Sequence, residues 1–405
     1  MWHNKKLLLA LALLIVAAIG LSACQAAPAA DADKVAQLEA DLAAAKAAGA
    51  TSAEELAAMQ AELDAAKAEP AVTGGECCDV YRIGIFEDPL TTNFWNYLGP
   101  GSSVWTQYII GDTAGTLYTL SDQRFDFVPN LASGLPPEPV QEGDFYTITV
   151  PMRTDATWSD GTPITANDVV FTMETCLKLQ LTSNWPNQCR PEIIDRVEAV
   201  DDHTVKFFFT GIPGLAQWQF GAAQGAILPQ AFWEATVAEA SASIEGVTAP
   251  EAERPADCEA TGLSPDETAA CEAWAAYDTA FNDARTILYQ ADATGTPVAG
   301  KYETNKFEPG AFVERNANPG NLFAGAKVEE YDDGTWVMTL TNGDVVQLYG
   351  EATGEKTLDF TSGPYSDNVV LSIYGSQDAA FLALSNGEID YVINPLSLAR
   401  GLRTT

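Results

Sequence analysis

Histidine and positive charge are scarce in this sequence. Two histidines, His3 and His203, occur in 405 residues, and 21 Lys and Arg stand against 56 Asp and Glu, a formal net charge of −35. Phosphate binding needs a basic face, so nucleic acid is excluded as a partner. No Cys-x-x-Cys pair is present and only one histidine lies beyond the N-terminal segment, so no metal site and no cofactor is expected. The GxSxG and HExxH patterns are missing. The run from Gly350 to Thr357 has two glycines and Lys356, but the lysine does not follow the second glycine directly, as a phosphate-cradling loop requires. It reads as a surface turn. His203 lies in a predicted hairpin turn beside Asp201 and Asp202, with no nucleophile or orienting partner in view. No catalytic set is legible, and the chain is read as a non-enzyme. The acidity names no ligand; its plain meaning is a well-solvated surface.

What is present begins at the N-terminus. Lys5 and Lys6 precede an apolar run from Leu7 to Gly20, and Leu21-Ser22-Ala23-Cys24 has the form of a lipobox. Residues 1–23 are therefore expected to be a lipoprotein signal peptide and Cys24 the lipidated residue, which anchors the chain to the outer side of the cell membrane. The apolar run is short for a span of about 20 residues, which argues against an uncleaved membrane helix. Cleavage removes two lysines and no acids, taking the net charge from −35 to −37.

Six further cysteines then lie in an oxidising compartment, where disulfides are expected. Cys176 with Cys189 and Cys258 with Cys271 each flank a loop and are the candidate pairs. Cys77 and Cys78 are adjacent, and their pairing stays open: reduced, bridged elsewhere or linking two chains.

Residues 24–76 read as a spacer. Val35, Leu38 and Leu42 are spaced 3 then 4, and Leu56, Met59 and Leu63 repeat that spacing, with a break at Gly49–Thr51 and a capping box from Ser52 to Glu55. A coiled coil is one reading. About two heptads on each side of the break fall short of the three or four a coiled coil wants, so a helical spacer is the expectation. Pro70 to Gly75 is a flexible joint.

From Cys77 onward strands and helices mix, which predicts an α/β fold. Tyr81–Phe86 is expected as a strand and Val104–Ile110 as a helix. Two strands flank the turn at Asp201–His203, and Ala235 to Arg285 is largely helical. Trp336–Leu340 and Val345–Tyr349 are expected to pair about a two-residue Asn342-Gly343 turn. Ala379–Leu384 reads as a helix and Ile389–Ile393 as a strand.

The most informative stretch is YTITVPMRTDATWSDGTPITANDVVFTME, residues 146–174. Tyr146–Met152 alternates like a half-buried strand, Trp158 to Gly161 make a turn, and Thr165 with Asp168 form a capping box ahead of an apolar helix face. TWSDGTPITANDVVFT resembles the signature segment of the peptide- and nickel-type substrate-binding proteins of ABC importers, solute-binding family 5. IGIFEDPLTTNFW (83–95), FVPNLASGLP (127–136), VEAVDDHTVKFFFT (197–210) and GSQDAAFLALSNGEIDYVINPL (375–396) resemble other parts of that family in the same order.

The resemblance implies a two-lobed type II periplasmic-binding-protein fold that closes on a ligand, a short peptide or similar small solute, and presents it to a membrane permease. It places the first lobe at 77–310 and the start of a second lobe at 311–405, with a C-terminal part of the family pattern beyond residue 405. Glu87 matches an acidic position that can face a peptide's amino end; the plainer reading is a surface acid beginning a turn before Pro89. Trp185 is placed either on the cleft wall or in rim and core packing. Trp158, Asp160 and Gly161 are assigned to structure. The competing functional class is a surface lipoprotein with a structural or adhesive role and no transport partner.

Overall fold

The computed structural model describes residues 79–121 and 125–393. The chain divides between Cys78 and Asp79 into two units, and the described residues belong to the second. The signal peptide, Cys24, the spacer, Cys77 and Cys78 lie outside the described residues.

In chain order the elements are β1 (Val80–Ile85), α1 (Phe94–Tyr97), α2 (Val104–Ile110), β2 (Tyr118–Leu120), β3 (Phe127–Pro129), β4 (Val140–Glu142) and β5 (Phe145–Pro151). They continue with α3 (Ala166–Lys178), β6 (Ile194–Asp201), β7 (Thr204–Phe209), α4 (Gln230–Ser243) and α5 (Pro265–Gln290). The remainder are β8 (Tyr302–Glu308), β9 (Phe312–Ala317), β10 (Lys327–Tyr331), β11 (Trp336–Thr339), β12 (Val345–Leu348), β13 (Lys356–Thr361), β14 (Asn368–Ile373), α6 (Gln377–Ser385) and β15 (Tyr391–Val392).

The signature segment builds the largest core. β5 alternates because Ile148 and Val150 point inward, and it pairs antiparallel with β7 in a four-stranded sheet of order β4-β5-β7-β6. α3 lays Val169, Met173 and Cys176 into that core. Asp168, 6% exposed, starts the helix: one carboxylate oxygen accepts the Thr165 N–H at 2.8 Å. The other accepts the Gln230 N–H at 2.9 Å, so the same side chain ties the start of α4 to α3. α5 opens on a capping box of Ser264 and Glu267 with Pro265 in its first turn, and it runs 26 residues because no breaker interrupts it. Cys176 is bonded to Cys189 and Cys258 to Cys271, with Cα separations of 6.2 and 5.7 Å.

A second sheet has the order β15-β1-β14-β9-β8. β1 runs parallel to β14 and β15, and α6 is the crossover between those two neighbours. β14, β9 and β8 then pair antiparallel. α2 and α6 contribute to this sheet's core, through Trp105 and Ile109 from one and Ala380 and Ala383 from the other. The division at 310/311 falls in the turn between β8 and β9, inside one sheet, and β14 and β15 close around β1. Residues 311–393 therefore do not form a body apart from the N-terminal strand.

The third sheet, β12-β11-β10-β13, is antiparallel throughout. Its β11–β12 hairpin corrects the expected turn. A two-residue Asn-Gly turn needs positive φ at both positions. Here Gly343 alone has it, at 94°, while the Gly343 N–H donates to the Leu340 carbonyl and the Leu340 N–H to the Asp344 carbonyl. The loop is thus three residues long, a tight turn followed by a left-handed glycine.

Candidate functional site

The two residues singled out for ligand contact lie apart, one exposed and one in a core. Glu87 is exposed, directly after β1, at the carboxyl end shared by the parallel strands β1 and β14. One oxygen accepts from the indole Nε1 of buried Trp105 at 3.0 Å, and the other has no hydrogen-bond partner among the described residues. Carboxyl ends of parallel strands are where open α/β sheets receive ligands, so Glu87 stands in a suitable place with half its carboxylate unused.

Trp185 does not line a cavity. It is 1% exposed, stacks on Trp95 with ring centroids 5.1 Å apart, and donates its Nε1–H to the Trp95 carbonyl at 2.9 Å. Of the two placements expected for it, core packing is the one found. The reason lies in its own loop: the Cys176–Cys189 bridge and the helical turn at Trp185–Asn187 hold the side chain inward.

Sequence reasoning missed a cavity of about 500 Å³. One wall is the third sheet, through Val328, Trp336, Met338 and Phe360. Facing it are the β2–β3 ribbon, the loop Gly111–Thr116 and the segment Ala299–Lys301. Leu131 and Ile164 add apolar surface from the signature region. The fit of these segments is close: the Ala299 N–H donates to the Thr113 carbonyl at 2.8 Å, and a Cβ at Gly300 would fall 1.8 Å from the Asp112 carbonyl oxygen. Only glycine can stand there.

The polar groups of the wall are largely used internally. Asn130 donates to Thr116 Oγ1 at 2.9 Å, and Asn321 donates to the Ala299 carbonyl at 2.7 Å. Arg315, 6% exposed on β9, donates to Asp112 Oδ1 at 2.6 Å and to the Tyr302 carbonyl at 2.8 Å. Lys301 also lines the cavity. Burial pulls its ammonium below the usual lysine range, against the pull of the Asp112 charge. A second cavity of about 500 Å³ is lined by Arg315 together with Tyr81, Tyr108, Tyr302 and Tyr365.

One of these residues left a signal in the sequence. In Phe312–Ala317, Val313 and Arg315 share the inward phase, and an arginine in that phase needs a buried partner. Asp112, Lys301 and Trp336 come from distant segments and carried none. Among the described residues no group of three or more His, Cys, Asp or Glu is placed to hold a metal ion.

The family model for bacterial extracellular solute-binding proteins, family 5 Middle, matches residues 126–401. No curated protein matches the sequence. Among solved structures the chain is similar to the oligopeptide-binding protein of Thermus thermophilus complexed with a pentapeptide, at 15% identity and TM-score 0.48, covering 77% of this chain and 44% of that one. It is similar to the mannohexaose-bound periplasmic oligopeptide-binding protein of Thermotoga maritima, at 17% identity and TM-score 0.48, covering 82% and 43%. A third is NikZ of Campylobacter jejuni in complex with Ni(L-His), at 15% identity and TM-score 0.42, covering 77% and 42%. The chain thus spans less than half the length of each of these proteins.

Proposed function

The chain belongs to the bacterial extracellular solute-binding proteins, family 5, and from that premise we propose that it is the substrate-binding receptor of an ABC importer. In this reading it takes a short peptide, or a similarly small solute, between two lobes and delivers it to a membrane permease. The single observation that carries the proposal is the family match over more than half of the chain. The family is a substrate-binding class, which agrees with a sequence that lacks catalytic motifs. Among the described residues no helix is long and apolar enough to cross a membrane. Attachment is assigned to a lipid on Cys24.

Glu87 is the proposed partner of a peptide's α-ammonium group. Its support is the position at the carboxyl end of β1, its exposure, and the oxygen that Trp105 leaves unused. A charge-assisted hydrogen bond contributes about 1.5–3 kcal/mol, so Glu87→Gln should weaken a free-amine peptide at least about tenfold and leave an N-acetylated peptide unchanged.

The test is isothermal calorimetry with a pool of di- to pentapeptides, followed by nickel chelates and oligosaccharides. Heat with one class, saturating at one site, supports the receptor. Silence with all three classes removes the importer reading and favours a structural surface lipoprotein.

A further inference from the structure

We propose that the cavity beneath the third sheet binds a small apolar solute bearing one carboxylate, with Lys301 as the ion-pair partner of that carboxylate. The inference does not depend on the importer reading.

Asp112, from the loop after α2, and Lys301, from the segment before β8, line the cavity, and Arg315 on β9 reaches Asp112 from outside that lining. Arg315 takes Asp112 at 2.6 Å in a site where the guanidinium is buried. That pair is neutral as a unit. Lys301 is then left over: among the described residues no acidic side chain forms an ion pair with it within 4.0 Å. A half-buried ammonium without an ion-pair partner loses hydration, and the nearby Asp112 charge offsets only part of that loss. In a chain of net charge −35, a cation in a cavity wall with no ion-pair partner is a local exception that an anion would relieve.

The rest of the wall sets the other half of the ligand. Leu131, Ile164, Trp336 and Met338 offer apolar contact. The side-chain amides that could have read a polar solute are turned to the protein itself, Asn130 toward Thr116 and Asn321 toward the Ala299 carbonyl. One cation without an ion-pair partner and much apolar surface select an amphipathic acid. A cationic solute is disfavoured, because Lys301 stands in the wall and Arg315 already neutralises the charge of Asp112. The volume of about 500 Å³ suits a small organic molecule.

Calorimetry on the 405-residue chain with 3-phenylpropionate, 3-phenylpropanamide and 3-phenylpropylamine tests this. The acid should bind at least about tenfold more tightly than the amide, as expected when a charge-assisted hydrogen bond is gained, and the amine should not bind measurably. K301M should bring acid and amide within about twofold of each other, and K301R should restore the preference, as a retained cation requires. Equal affinity for acid and amide in the parent chain, a preference that survives K301M, or no heat with 3-phenylpropionate would each overturn the proposal. If K301M fails to fold, the acid–amide comparison in the parent chain and in K301R decides the matter alone. Heat with peptides but none with 3-phenylpropionate removes this site and leaves the receptor standing. The reverse result keeps the site and removes the peptide receptor.

Discussion

Replacing Trp185 separates a core residue from a ligand-contact residue. The side chain is 1% exposed, stacked on Trp95 and hydrogen-bonded to the Trp95 carbonyl. Truncating a buried tryptophan to alanine costs about 3–5 kcal/mol. The orphaned carbonyl adds about 1–3 kcal/mol, and part of the roughly 0.5–1.5 kcal/mol of ring stacking is already contained in the first figure. Trp185→Ala should therefore cost about 4–8 kcal/mol, a large share of the roughly 5–15 kcal/mol that holds a typical domain together. Trp185→Phe keeps a ring against Trp95 and loses the indole N–H, so about 2 kcal/mol is expected. Urea unfolding followed by far-UV circular dichroism measures both, and the folded Phe variant can be titrated with the peptide pool. The expected pattern is a lowered midpoint with unchanged peptide affinity. A cost below about 1.5 kcal/mol for Trp185→Ala, together with lost ligand heat in Trp185→Phe, would return this residue to the cleft wall and refute the core argument.

Asp168→Ala removes a helix cap and leaves the Thr165 and Gln230 N–H groups without their acceptor, at a cost of about 2–4 kcal/mol at pH 4. Burial raises the Asp168 pKa above the ordinary carboxylate value in spite of the hydrogen bonds it accepts. The folded state thus binds the proton more tightly than the unfolded one; the stability linked to this group is full below the unfolded pKa and lost as pH rises through the folded value. The difference between parent and variant should shrink from pH 4 to pH 7 in paired urea titrations, and a difference that grows would reverse the sign of the argument. Cys258→Ser with Cys271→Ser should cost about 3 kcal/mol from the reopened loop. Cys258 is exposed whereas Cys176 and Cys189 are buried, so alkylation mapping under mild reductant should label the Cys258–Cys271 pair first. Cys24→Ala should abolish incorporation of radioactive fatty acid into the expressed precursor, and equal labelling of parent and variant would defeat the lipobox reading.

What the sequence determined by itself is local. The alternation in Tyr146–Met152, the Thr165–Asp168 box, the helix at Val104–Ile110 and the β6–β7 hairpin were all legible, because each depends on contacts between residues near in the chain. The family was legible for the same reason: its signature is one continuous strand, turn and helix. The Asn342-Gly343 turn was legible as a hairpin but not in its length, since backbone dihedrals at two residues decide that and the dipeptide permits more than one solution.

Tertiary structure alone decided the rest. That β14 and β15 flank β1 across nearly 300 residues of chain cannot be read from any of the three strands. Whether Trp185 faces a cleft or a core depended on Trp95, ninety residues away. Lys301 became a candidate ligand group only because Arg315 claims Asp112, an allocation of charge among three distant segments that no spacing in the sequence encodes.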